Sequence, residues 1–173
     1  MPDCESLRSE FDNFGYPGYK QRIGELDNTK SELRNLDQRI SNKKTQIDHQ
    51  KDDLYYIEQD ILNLGRVRDG LKSERDAIDQ EQDPERWKYK DYEVREKDQE
   101  IDHKRDQQQA KKRDLERLEH DLQTLEYEKA DKERNKTRLI QELDGLYPRL
   151  NQMLGEMDRI EHCGREQRRL ESY

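Results

Sequence analysis

The stretch Asp79-Gln80-Glu81-Gln82-Asp83-Pro84-Glu85 decides how the rest of this 173-residue chain is read. Its second half has the chemistry of a helix start: Asp83 can cap, Pro84 carries the fixed φ of a first helical turn, and Glu85 sits where the helix dipole is positive. Proline also disfavours the α conformation at Asp83, so a helix arriving from the N-terminal side must stop short of it. A reversal of direction is therefore expected between about Gln80 and Glu85. Outward from there, apolar residues pair off as mirror images: Ile78 with Trp87, Leu71 with Val94, Leu64 with Ile101, Ile47 with Leu118, Ile40 with Leu125 and Leu26 with Leu139. Each pair is equidistant from the peptide bond between Gln82 and Asp83. Pro17 and Pro148 obey the same symmetry.

Both sides carry a heptad. Before the turn, Leu26, Leu33, Ile40, Ile47, Leu54 and Ile61 form one series, and Leu36, Ile57, Leu64, Leu71 and Ile78 a second three residues later, the a and d positions of a coiled-coil seam. Lys43, Gln50, Arg68 and Arg75 interrupt it, and Val67 suggests a local stammer. After Pro84 the a series runs Trp87, Val94, Ile101, Leu115, Leu122, Leu143, Leu150 and Met157, with Leu118, Leu125, Leu139, Leu146, Met153 and Ile160 at d.

Composition agrees with long helices and not with a globule. Only 28% of residues are apolar and 44% are charged, too little apolar surface for a core of the usual size. A disordered polyampholyte of this composition has no reason to hold Leu and Ile at fixed spacing, and a coiled coil must. The fold class expected is all-α: a long antiparallel two-helix coiled-coil hairpin with short terminal helices packed together at the open end. Each arm of about 60 residues, at 1.5 Å per residue, gives a rod of roughly 90 Å.

Towards the ends, Cys4, Leu7, Phe11 and Phe14 have the spacing of one apolar helix face and mirror Ile160, Met157, Met153 and Leu150 with a slip of one residue. Gly15-Tyr16-Pro17-Gly18 reads as a bend, and Gly145-Leu146-Tyr147-Pro148 as its partner. The expected organisation is a short amphipathic helix over residues 1–16, the first arm over 17–82, the second over 83–147 and a C-terminal helix over 148–173, either separate or a kinked continuation of the second arm. End packing is expected to involve Leu7, Phe11, Phe14, Leu150, Met153 and Met157.

The net charge of −8 disfavours non-specific attraction to nucleic acid or anionic membranes. No apolar run approaches the roughly 20 residues of a membrane span, and Met1-Pro2-Asp3-Cys4-Glu5 lacks the basic and apolar regions of a signal peptide. A soluble cytoplasmic protein is the expectation. Cys4 and Cys163 are no disulfide framework; the end pairing brings them near one another, where a reduced pair of thiols at the helix seam is the expectation and a disulfide latch across the ends the alternative. With His162 they supply too few ligands for structural zinc.

Glu100-Ile101-Asp102-His103 has the Glu-x-x-His spacing of di-iron bundles, but Ile101 is the seam residue and no second motif exists to face it. Asn135-Lys136-Thr137 matches a glycosylation acceptor in mid-helix, which reads as an accident of composition. The chain has no phosphate loop, nucleophile elbow or Cys-x-x-Cys pair. No enzyme activity, cofactor or metal is expected.

The feature that invites a function is a Lys stripe at successive d positions, Lys90, Lys97, Lys104 and Lys111. In a hairpin Lys90 faces Arg75 and Lys97 faces Arg68, so like charges meet beside the turn. The plain reading has these side chains reaching out to neighbouring carboxylates such as Glu93 and Asp98. The functional reading makes the turn-proximal half a partner surface, with Arg68, Arg75, Trp87, Lys90, Tyr92 and Lys97 as its residues and Tyr55, Tyr56 and Tyr89 nearby. The expected role is a noncatalytic scaffold, spacer or adaptor that binds a helical protein partner and self-associates. A filament or stalk component is the alternative within that class, and a surface binder using the Lys stripe the alternative outside it.

Overall fold

The chain enters helix at Asp3, whose carboxylate accepts the Ser6 amide at 2.7 Å. Helix α1 covers Cys4–Glu10, a single π turn covers Phe11–Gly15, α2 covers Tyr16–Asp76 and α3 covers Pro84–Arg159. The computed structural model describes residues 3–160 with Leu170 and Tyr173, and among them there is no strand. The molecule is all-α, with two long helices that pack on one another. Among the described residues, no helix is long and apolar enough to cross a membrane.

Two expectations about breaks are corrected. The bend expected at residues 15–18 is a π turn inside continuous helix, closed by the Tyr16 amide donating to the Phe11 carbonyl. Pro17 supplies a physical reason, since its ring crowds the carbonyl four residues earlier and it has no N–H to give, and a widened turn relieves both. Pro148 does not start a separate helix either: it lies inside α3, so of the two readings, separate helix or continuation, the chain continues. An interior proline costs roughly 3 kcal/mol, and burying Leu143, Leu150, Met153 and Met157 around it returns about 1.5–3 kcal/mol each. Burial wins. Of the expected C-terminal segment, residues 161–169, 171 and 172 lie outside the described residues.

The fold divides into two compact units, residues 40–124 and residues 1–39 with 125–173. In the first, α2 stops at Asp76 and seven residues lead to Pro84. The Asp79 carboxylate accepts the amides of Glu81 and Gln82, and Asp83 caps α3 by accepting the Arg86 amide at 3.2 Å. Proline at the next position has no amide that needs a partner. Shielding from solvent then follows the heptad on both helices: Ile47, Leu54, Val94 and Ile101 are buried, and Ile57, Ile61, Leu64, Leu71, Ile78, Leu115, Leu118 and Leu122 are half-buried. Two helices cover a seam only partly.

The second unit has a fuller core, built from Leu7, Phe11, Tyr19, Ile23, Leu26, Leu139, Leu143, Leu150, Met153 and Met157. The π turn explains the one-residue slip in the mirror pattern. Fifteen residues separate Leu26 from Phe11 where fourteen separate Leu139 from Met153, and a π turn absorbs the extra one. Downstream of Phe11 the inward positions consequently fall at Gly15 and Tyr19. Gly15 lies so close to Leu150 Cδ2 that a Cβ has no room, and Tyr19 is fully buried. Phe14 is the casualty and the third correction: it was expected in the end core and is 79% exposed. Further along, Asn135 donates its side-chain amide to Thr29 Oγ1 at 3.3 Å, and Thr29 donates to the Glu25 carbonyl, a polar layer that resists sliding.

Candidate interaction surfaces

The cations of the seam beside the turn are each held by a carboxylate. Lys90 Nζ stands 2.9 Å from Glu74 and 2.8 Å from Glu93, Lys97 2.6 Å from Glu100, Lys104 2.7 Å from Asp60 and Lys111 2.7 Å from Asp53. Arg68 bridges Asp69 at 2.9 Å and Asp98 at 3.2 Å, and Arg75 bridges Asp76 at 2.9 Å and Asp91 at 2.8 Å. The aliphatic stems cover the seam while the charges reach its edges. These hydrogen bonds push Lys90 up, through Glu74 and then Glu93, and Lys97 up through Glu100. They raise Arg68 through Asp69 and Arg75 through Asp76. The facing like charges are thus separated by acid on both sides.

Asp91 is the centre of this network and was not singled out by the heptad, since it lies beside the seam and not in it. Its carboxylate is nearly buried and takes Arg75 on one oxygen and Arg95, 2.8 Å away, on the other. Arg75 also lies over the Trp87 ring, 5.6 Å from its centroid, which places Trp87 as a lid on the last layer. The signal in the sequence was the spacing of Trp87, Asp91 and Arg95, three residues on one strip of α3. Glu100 and His103 flank buried Ile101 as expected; Glu100 holds Lys97, and His103 meets the Gln107 amide at 3.1 Å.

Among the mostly charged positions that unit 40–124 presents outward stand several large aromatic and apolar side chains. Tyr55, Tyr56, Leu62, Val67, Tyr89 and Tyr92 are all exposed by half or more. Tyr55 and Tyr56 meet edge to face at 5.8 Å. Beside them a groove of about 310 Å³ is lined by Glu58, Ile61, Leu62, Arg105 and Gln108. Of the residues expected to bind a partner, Tyr92 is the one fully on the surface; Arg68, Arg75, Lys90, Lys97 and Trp87 are half-buried among their own partners.

In the other unit, Leu7, Phe11, Leu150, Met153 and Met157 share one core, and Phe11 stacks on Tyr16 at 5.2 Å with the rings 16° apart. Phe14 instead stands at the rim of a cavity of about 110 Å³, lined also by Glu10, Gly15, Leu146, Arg149, Leu150 and Met153. Glu10 and Arg149 form an ion pair across that rim. Tyr173 donates its hydroxyl to Asp144 and packs edge-on against Tyr19 and Tyr147. That bond, with desolvation second, pushes the Tyr173 phenol up to about 12. Cys4 is disulfide-bonded; Cys163 and His162, named with it from the sequence, lie outside the described residues. Asn135 is engaged with Thr29 and Arg138, a poor posture for a glycosylation acceptor. No protein-family model, curated protein or solved structure matches the chain.

Proposed function

We infer that the protein is a noncatalytic scaffold, spacer or adaptor built as an antiparallel coiled-coil hairpin, binding a helical protein and a second copy of itself through its outer face. The observation that carries this reading is the division of labour in unit 40–124: the seam charges are consumed internally while large aromatics stand outside it. Ion pairs between the long helices support the antiparallel register, because their partners move apart in step with distance from the turn, from Arg75 with Asp91 and Arg68 with Asp98 to Lys104 with Asp60, Lys111 with Asp53 and Lys43 with Asp121. Exposed aromatic side chains are favoured at interfaces, where they bury a large area at little cost in conformational entropy. The Lys stripe is no free surface for phosphate, since each of its four ammonium groups is neutralised by this chain's own carboxylates.

One experiment tests register and association together. Spin labels at Asn42 and Gln123, in protein diluted with unlabelled chain, should report a short intrachain distance, while sedimentation equilibrium shows mass rising with concentration. A long intrachain distance ends the hairpin. A monomer at all concentrations ends self-association. The cytoplasmic assignment is part of the proposal, and the redox state of Cys4 tests it, since a persistent disulfide belongs to an oxidising compartment. Alkylating thiols in cells before lysis decides it: Cys4 modified keeps the protein in the cytoplasm, and Cys4 blocked moves it out.

A further inference from the structure

Phe14 and the cavity beside it form a knob and a hole on one patch. The ring is 79% exposed, an unusual position for a phenylalanine in a chain with only two, and the hole next to it is floored by Leu146, Leu150 and Met153. The π turn sets the knob beside the hole: by adding a residue to the turn it rotates Phe14 off the core face, and it seats Gly15 against Leu150, one wall of the cavity. A cavity of about 150 Å³ with Leu and Phe walls suffices to hold benzene, so a hole of about 110 Å³ that is open on one side takes most of a phenyl ring.

A patch that carries both a knob and its own hole is self-complementary, the property a two-fold interface requires. Its charges have the same property, since Glu10 and Arg149 lie across the rim from one another in one chain and can exchange partners with the same pair on a second copy. The geometry points to a second copy of this chain as the occupant: in a two-fold dimer, Phe14 of each copy enters the cavity of the other, and Glu10 of each meets the partner's Arg149. The two rings then lie side by side near the axis, within the distance at which aromatic pairs attract. This deepens the self-association proposed above and gives it a place in the end unit, apart from the tyrosine surface of residues 40–124.

The test uses the full chain in sedimentation equilibrium, with thermal melts as a control for folding. Phe14→Ala should weaken the dimer by about tenfold for each ring lost, on the order of a hundredfold for both, with the melting temperature unchanged at dilutions where both proteins are monomeric, because the ring is exposed in the single chain. Glu10→Arg alone and Arg149→Glu alone should each be monomeric, and an equimolar mixture of the two should form a heterodimer, because opposite charges then meet only between chains. Absence of that heterodimer overturns the proposal. So does a Phe14→Ala variant that melts lower while its mass is unchanged, which means the ring closes its own cavity. A wild-type monomer removes self-association altogether, whereas a dimer that survives Phe14→Ala and is lost on changing the exposed tyrosines removes this surface alone.

Discussion

Phe11 and Phe14 lie three residues apart on what the sequence presents as one apolar face, and replacing each by alanine separates their fates. Phe11 is fully buried, within a cluster of ten buried residues, and stacked on Tyr16 at 5.2 Å. Truncating a buried phenylalanine costs about 3–5 kcal/mol in lost transfer energy and residual cavity. The lost aromatic pair contributes about 0.5–1.5 kcal/mol beyond area, which places Phe11→Ala in the upper half of that range. At dilutions where the chain is monomeric, Phe14→Ala should stay within about 0.5 kcal/mol, as for surface changes in general. Urea titrations followed by circular dichroism read the difference: with a slope of about 2 kcal/mol per molar, the Phe11→Ala midpoint falls by roughly 2 M and that of Phe14→Ala does not move. Near-ultraviolet dichroism of buried Tyr19 and half-buried Tyr16 should follow the first change, and fluorescence of Trp87, the single tryptophan, reports the other unit separately. Equal midpoints for the two variants, or a Phe11→Ala loss under about 1 kcal/mol, would refute the placement of the π turn.

The alkaline limb of stability should belong to the bridged lysines and to Tyr173. The folded pKa of Lys90, Lys97, Lys129 and Lys132 is raised above the ordinary 10.5 by Glu74, Glu100, Asp37 and Glu32 respectively, so their contribution is complete below about pH 10.5 and is lost as pH climbs through the folded values. Absorbance titration should show one of the nine tyrosines ionising late, near 12 where 10.0 is usual, and Asp144→Asn should return it toward 10.0. Replacing Asp91 by alanine leaves both Arg75 and Arg95 without their shared carboxylate, and should lower the melting temperature more than Asp76→Ala, which removes an exposed partner of the same arginine; equal shifts would take Asp91 out of the centre of the network.

Helix type, the break before Pro84 and the shielded positions of the seam were legible in the sequence because each depends on short-range chemistry, whereas buried Tyr19 and Ile23 lie outside the seam series. Asp83-Pro84 can start a helix and cannot continue one, and a heptad of Leu and Ile has only one way to hide from water along a helix. Three things were decided by the tertiary structure. Whether Pro17 and Pro148 break the chain depended on what the flanking residues bury, and the core around Leu143, Leu150, Met153 and Met157 outweighs one missing hydrogen bond. Which phenylalanine is core depended on one extra residue in a π turn, a register shift that periodicity cannot reveal because Phe11 and Phe14 satisfy the same spacing before it. The fate of the Lys stripe depended on carboxylates far away in sequence, Asp60 for Lys104 and Asp53 for Lys111, which only packing of one helix on the other brings within reach. Local pattern determined which residues could be inside; contact between distant residues determined which of them are.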